Sequence, residues 1–448
     1  VVAGSNGNAA GAAINIADID NDFTASIQNA DIKADTVLAE ADADTLLVGA
    51  SGGIAAGTKT FGGMGSVTWQ DIDNDVTAQF VNSQITTNAA TAKADNNTQA
   101  INVAGSVSVG KSAAAGATLA YNALDNTIGA YMKGNSITAL GDDVDVVVDA
   151  DNTGKVYGIG AGVSASTKAA INGSVAVNRG GSNTEAVIDK RDEKKSYIED
   201  AGTVKVTADD DTYRLAVVGS VSASGKAAVG GGVAYNDVGG SSAGSESNGQ
   251  NTLAAIKNTD ITMADNGEHD VTVKADDASK LMTIAAGVAA AATAGVQGSA
   301  ATSLVNKNVS ALVENADIDE SGGSLAEVTV DAQNNSQITS SADTGSFAAQ
   351  GAGVGAGVAV NRIVQQTNAA VNGSQMNVKD LMVHANGTPR IENVGVGVAA
   401  AGQGAGVAGS VSVNMIDNDV TAHIGSGANI AADGSVGVVA TSDEQISN

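Results

Sequence analysis

The sequence predicts an all-β chain wound as one elongated parallel β-solenoid. Three observations carry that expectation. The first is a repeated phrase. GSVSVNMIDNDVTAHI at residues 409–424 returns as GSVTWQDIDNDVTAQF at 65–80 and GATLAYNALDNTIGAYM at 116–132. Shorter copies stand at 173–178, 231–236 and 356–361, and degenerate ones at 12–27 and 300–313. The asparagine shared by most copies (Asn122, Asn178, Asn236, Asn361, Asn414) sets a period of about 56 residues. A period of that size marks a repeat array. The second observation is alternation: Val411 and Val413, then Val420, Ala422 and Ile424, alternate with small or polar residues. Period two is the signature of a half-buried strand. The third is a core built of Ala, Val and Gly, with aromatics only 2% of residues, which suits a thin bore.

The repeats divide the 448 residues approximately as 1–46, 47–100, 101–158, 159–216, 217–284, 285–340, 341–394 and 395–448, within one continuous body. The last repeat shows the parts. An uncharged stretch at 394–413 leads to a polar corner at 414–419, then a strand at 420–424, a loop, and a final strand after Asp433–Gly434. Gly, Asn and Asp clusters supply the turns. No segment carries a helical stripe with caps. Coils of roughly twenty residues would put three coils in each repeat, so that eight repeats would span on the order of 110 Å at ~4.8 Å per coil. An alternative geometry pairs the two halves of each uncharged stretch as an antiparallel hairpin around a turn such as Ser224–Gly225–Lys226. Insertions at residues 190–197 and 239–252 are expected on one face of the array.

Composition removes several function classes. The net charge of −27 argues against nucleic acid, whose phosphates need basic patches, and against anionic membrane surfaces. The absence of Cys excludes disulfides and thiolate metal sites. Residues 281–305 carry no charge and are long enough to span a bilayer. They are full of Ala, Gly, Thr and Ser and align with the same stretch of every repeat. The reading is therefore no transmembrane segment, but a face hidden from water in the core or against a neighbouring solenoid.

The candidate site residues are the acidic corners Asp18, Asp20 and Asp22, Asp71, Asp73 and Asp75, Asp417 and Asp419, with Asp125 alone in its copy. Alternate carboxylates on a tight turn can converge on Ca²⁺, which takes six to eight oxygens. Against this, Asp and Asn are also simply good turn residues, and the phrase lacks the Gly and bidentate Glu of an EF-hand loop. The repeated Asn is expected to satisfy its own turn, since three coils per repeat would place successive copies too far apart for a direct ladder. Lys59, Lys111, Lys168 and Lys226 form a row ten or eleven residues before the corner, either a shallow binding stripe or solvated turn lysines. His269, His384 and His423 lie in three different repeats, and no catalytic motif is present, so no enzyme is expected. A polysaccharide-active β-helix would need a charged cluster breaking the repeat, and only residues 190–195 offer one.

The strand grammar of residues 420–446 resembles that of bacterial filamentous haemagglutinin-like exoproteins, and the Ala/Gly-rich run at 398–414 resembles repeats of the leukotoxin-type filamentous adhesins among them. The resemblance implies a right-handed parallel β-helix, two-partner (type V) export, and a fibre at the bacterial cell surface serving adhesion or contact-dependent toxicity. Expected partners are further copies of the chain, head-to-tail or lateral, and host or bacterial surface glycans or proteins. It assigns no functional residue to the repeats.

Overall fold

A computed structural model describes residues 1–239, 250–265, 267–320 and 325–448. Among these residues the chain is strand throughout, with no helix. Every ladder between strands is parallel, and the strands form two sheets. The arrangement is that of a β-solenoid.

One turn of the winding can be followed from Phe61. A long strand, Phe61–Val81, ends at Asn82; a short strand, Gln84–Thr87, follows; a second long strand, Ala89–Gly110, runs back; a two-residue tip leads into the next long strand, Ala113–Lys133. The two long strands of one turn lie in different sheets. They are therefore not the antiparallel hairpin considered above, although the chain does reverse at residues 224–226. Each long strand pairs instead with its counterpart one period on. Asn122 stands beside Asn178, Asn178 beside Asn236, and Asn361 beside Asn414.

This register corrects the expected three coils per repeat: one period is one wide turn. The long strands hold about twenty residues, so each turn is roughly 70 Å across at ~3.3 Å per residue. The second sheet's main path runs through eight strands. At ~4.8 Å between neighbours, these rise only about 35 Å along the axis. The body is a flat slab, wider than it is long, rather than a slender 110 Å rod.

The expected polar corner is also displaced. Residues 414–419 lie in mid-strand, within Gly406–Ile424, as their equivalents do within Ala9–Gln28 and Phe61–Val81. Neighbours on both sides hold these segments extended, which overrides the turn preference of Asn and Asp. The true corner comes about ten residues later. There, after most strands of the second sheet, a single residue takes positive φ: Asn29 (52°), Asn82 (56°), Gly134 (69°), Asn258 (47°), Asn315 (52°) and Gly373 (62°). Asn and Gly are the residues that enter this region at least cost.

The slab has two halves with different interiors. Near the corners the bore is apolar, filled by Phe80, Ile85, Ile128, Met132, Val146 and Ile198 among others. Toward the tips it is filled by alanines such as Ala104, Ala120, Ala176 and Ala234, interspersed with buried Ser, Thr and Asn. The sheets nearly touch there. Ser108 donates to the Ala115 carbonyl across the bore at 2.6 Å, and Ser222 to that of Val229 at 2.7 Å. A Cβ at Gly62 would sit 1.9 Å from the Val109 carbonyl oxygen, so only glycine fits.

Candidate functional site

Alternation sends Asp71, Asp73 and Asp75 outward and Ile72, Asn74 and Val76 into the bore. Parallel register then stacks the carboxylates: Asp18 beside Asp71, Asp73 between Asp20 and Asp125, Asp22 beside Asp75. Burial, then Asp18 and Asp125, push the Asp71 carboxyl above its usual range. Asp73 is raised likewise by burial, then by Asp75, Asp125, Asp20 and Asp71. The group is a patch of mutual repulsion on a flat face, not a converging loop. Asp417 and Asp419 stand beside Val364 and Gln366, on a strand far along the stack. Among the described residues, no three His, Cys, Asp or Glu side chains are gathered so as to hold a metal ion.

The intervening asparagines do what the sequence reading ruled out. Asn122 donates to Asn178 at 2.7 Å, Asn178 to Asn236 at 2.9 Å, and Asn361 to Asn414 at 2.7 Å. With one turn per period, copies lie one strand apart, and amide side chains stack into a direct ladder. A second ladder runs deeper. Asn21 donates to Asn74 at 2.9 Å, Asn96 to Asn152 at 2.7 Å, and Asn152 to Asp210 at 2.9 Å.

That second ladder meets a buried ionic cluster which nothing in the sequence singled out. Lys307 is fully buried between Asp210 and Asp277, and its ammonium contacts both carboxylates, that of Asp277 at 3.1 Å. Ser182 also donates to Asp210. Burial works against the charge on Asp210, but Lys307 and the donated hydrogen bonds outweigh it and hold the carboxyl below its usual range. Burial dominates at Asp277 and raises it. Lys307 is raised: burial opposes its charge, and the two aspartates more than offset that. Among the described residues, all three side chains are out of contact with water. Lys307 takes the place that Gln365 and Asn418 hold in the following strands. Only the register, invisible before folding, brings it to Asp210.

The remaining candidates scatter. His269 is buried against the Gly202 carbonyl at 3.3 Å. His384 bonds Asp331 at 2.8 Å, and His423 stands on the other sheet beside Ala370. Lys59, Lys111, Lys168 and Lys226 all sit exposed at the tip turns. The insertion at 190–197 projects beyond a corner, where Lys195 bridges Asp260 at 2.8 Å and Asp317 at 3.8 Å. The insertion at 239–252 lies, for residues 240–249, outside the described residues.

The largest organised feature is on the outside of the tip half. Outward positions there carry Ile14 and Ile16, Val67 and Trp69, Val175, Val229 and Val233, Val354 and Val358, Val411 and Val413 on one face. Val103, Val109, Val163, Val221 and Val288 cover the other face. Ile14 and Ile16 are 69% and 70% exposed. Between the two aliphatic rows on the first face runs a floor of Gly65, Gly173, Gly231, Gly298 and Gly409, each with open space where a side chain would stand.

Comparison with known proteins yields no match to any family model, curated protein or solved structure.

Proposed function

We propose that this chain is a structural segment of an exported bacterial surface adhesin, a right-handed solenoid of about eight repeats that stacks end to end on further turns of its own kind. The carrying observation is the register from turn to turn. Each long strand lies directly on its counterpart one period away, as Phe61–Val81 lies beside Ala113–Lys133 and Ala294–Glu314 beside Ala352–Asn372. The edge of any such turn is a template for another strand of the same kind. The first and last long strands also carry nearly the same phrase, IDNDFTASI at 19–27 and IDNDVTAHI at 416–424. A contact between unlike ends of identical units does not close, and gives filaments.

The filamentous-exoprotein character of the repeats favours a scaffold. Electron microscopy of the purified chain tests the stacking. Fibres with a ~4.8 Å axial repeat, about 70 Å wide, are expected. Particles that stay a single slab long at every concentration would remove the self-stacking part of the reading.

A further inference from the structure

We infer that the tip half of the slab is a membrane-inserting blade, with its outer faces in the hydrocarbon of a lipid bilayer and its tips at the far interface. This goes beyond the stacking proposed above and rests on it in one respect, since the outermost strands enter hydrocarbon only where a further turn covers their edges.

The argument begins with an inversion of polarity. In the corner half, Phe, Ile, Met and Val lie inside while Asp42, Lys93, Asp95, Asp149 and Asp209 stand outside. In the tip half, Ser66, Asn102, Asn122, Ser174, Asn178 and Ser220 are buried in the bore, and the aliphatic side chains point out. A chain folding for water does the reverse. A polar interior with an apolar exterior is the arrangement of membrane-spanning strands.

The height of the apolar band fits one occupant. On one strand it runs over residues 61–69, through Phe61, Gly63, Gly65, Val67 and Trp69; on the next it runs over 101–109, through Ile101, Val103, Gly105, Val107 and Val109. Nine residues at ~3.3 Å are about 30 Å, the thickness of a bilayer's hydrocarbon core. An unlike protein partner would set no such height, and the test below separates the bilayer from a second copy, which carries the same band. The borders are also marked. Trp69 stacks on Tyr121 with ring centroids 3.8 Å apart at the charged border, Tyr157 and Tyr213 lie 5.8 Å apart on the other face, and Tyr235 continues the first row. Phe61 and Phe347 stand at the tip border. Only Phe23, Phe80, Tyr131 and Tyr197 lie elsewhere. Aromatic belts at both edges of an apolar band are what membrane interfaces select. Beyond the tip border come Lys59, Lys111, Lys168 and Lys226, placed to reach the far headgroups.

At the outward positions of the band, Asp343 and, in the border row, Glu392 are the only charged residues. Both are partnered: Asp343 accepts from Ser341 at 2.7 Å and from the Val396 amide at 3.0 Å, and Glu392 meets Arg390 at 3.0 Å. Inside the stack, the backbone is satisfied strand to strand, as the bilayer requires. No helix among the described residues is long and apolar enough to cross a membrane; here the crossing elements are strands.

Vesicles of dioleoylphosphatidylcholine, uncharged so that the −27 chain is not repelled, supply the probe. The chain has no Cys, so single-cysteine variants Val67→Cys, Val233→Cys and Asp209→Cys each take one environment-sensitive dye. Insertion predicts flotation with the vesicles. It also predicts quenching of the dyes at 67 and 233 by lipids spin-labelled deep in the acyl chain, with no quenching at 209. The double variant Val175→Asp, Val233→Asp changes only outward positions, so its circular dichroism and melting should match the parent while its vesicle-bound fraction falls at least tenfold. Asp343→Val should raise that fraction. A chain that stays in the aqueous phase, or whose dyes at 67 and 233 are shielded only by dimerisation without lipid, would overturn the inference; the second result would assign the band to another copy. Filament formation in lipid-free buffer is scored separately, so that a failure of stacking is told apart from a failure of insertion.

Discussion

At the scale of single residues, Lys307 and its two aspartates are the most exacting feature. A buried charge survives only if it is paired and hydrogen-bonded. Lys307→Met leaves Asp210 and Asp277 facing one another without a cation, and should cost about 3–5 kcal/mol in urea unfolding. Replacing all three together, with Asp210→Asn and Asp277→Asn, should recover most of that loss, because no charge is left unpaired. If Lys307→Met melts with the parent, the cluster has been assigned the wrong weight. On the outer surface, Asp209 stands in register between Asp151 and Asp276. Burial first, then these neighbours, push its carboxyl up to about 6. The folded chain thus holds a proton there between about pH 4 and pH 6 that the unfolded chain has released, so stability falls as pH rises through that window. Lowering the pH from 7 to 5 should raise the melting temperature, and Asp209→Asn should flatten that rise.

At the scale of elements, the asparagine ladder converts a sequence period into a physical register. Asn178 accepts from Asn122 and donates both to Asn236 and to the Leu215 carbonyl at 2.8 Å, all out of water. Asn178→Leu strands those partners and introduces a branched side chain where the sheets nearly touch. A loss of about 2–4 kcal/mol is expected, whereas Asn97→Leu, on the outer surface, should change stability by less than about 0.5 kcal/mol. Comparing the two melts checks it. The strands themselves were legible from alternation, and so were the tips at Ser224–Lys226 and their equivalents. The corner was not. Asn-Asp runs such as 417–419 have strong turn chemistry, while Asn82 or Asn315 is a single residue amid ordinary sequence. Local propensity points to the former; only strand partners on both sides decide for the latter. The same error hid the ladder, because placing three coils in each period separated asparagines that are in fact neighbours.

At the scale of the whole molecule, the decisive quantity is how many residues close one turn. Composition favoured a thin bore and a short coil, and the bore is indeed thin toward the tips. Thinness, however, says nothing about width: two sheets can lie close over twenty residues as readily as over six, provided the facing side chains are small. The outward valines were read as a hidden face before the structure, and their inversion against the buried Ser and Asn emerges only once alternation is tied to a definite inside. The one-turn reading makes a sharp demand on deletion. Ala113 stands beside Ala169, so removing residues 113–168 takes out one complete turn and joins Ser112 to Ala169 at the same tip. Phe61–Val81 would then pair with Ala169–Asp189, Phe80 over Ile188, Gln70 over Asn178, and Asn96 would take over the donation that Asn152 makes to Asp210. These buried rows keep their chemistry. Such a shortened chain should give a parent-like circular dichroism spectrum and a cooperative melt. Removing only residues 113–132, close to a full coil on the narrow-rod reading, breaks the register of every later strand and should abolish cooperative unfolding. If the twenty-residue deletion folds and the full-turn deletion does not, the wide slab is the wrong description of how this sequence closes on itself.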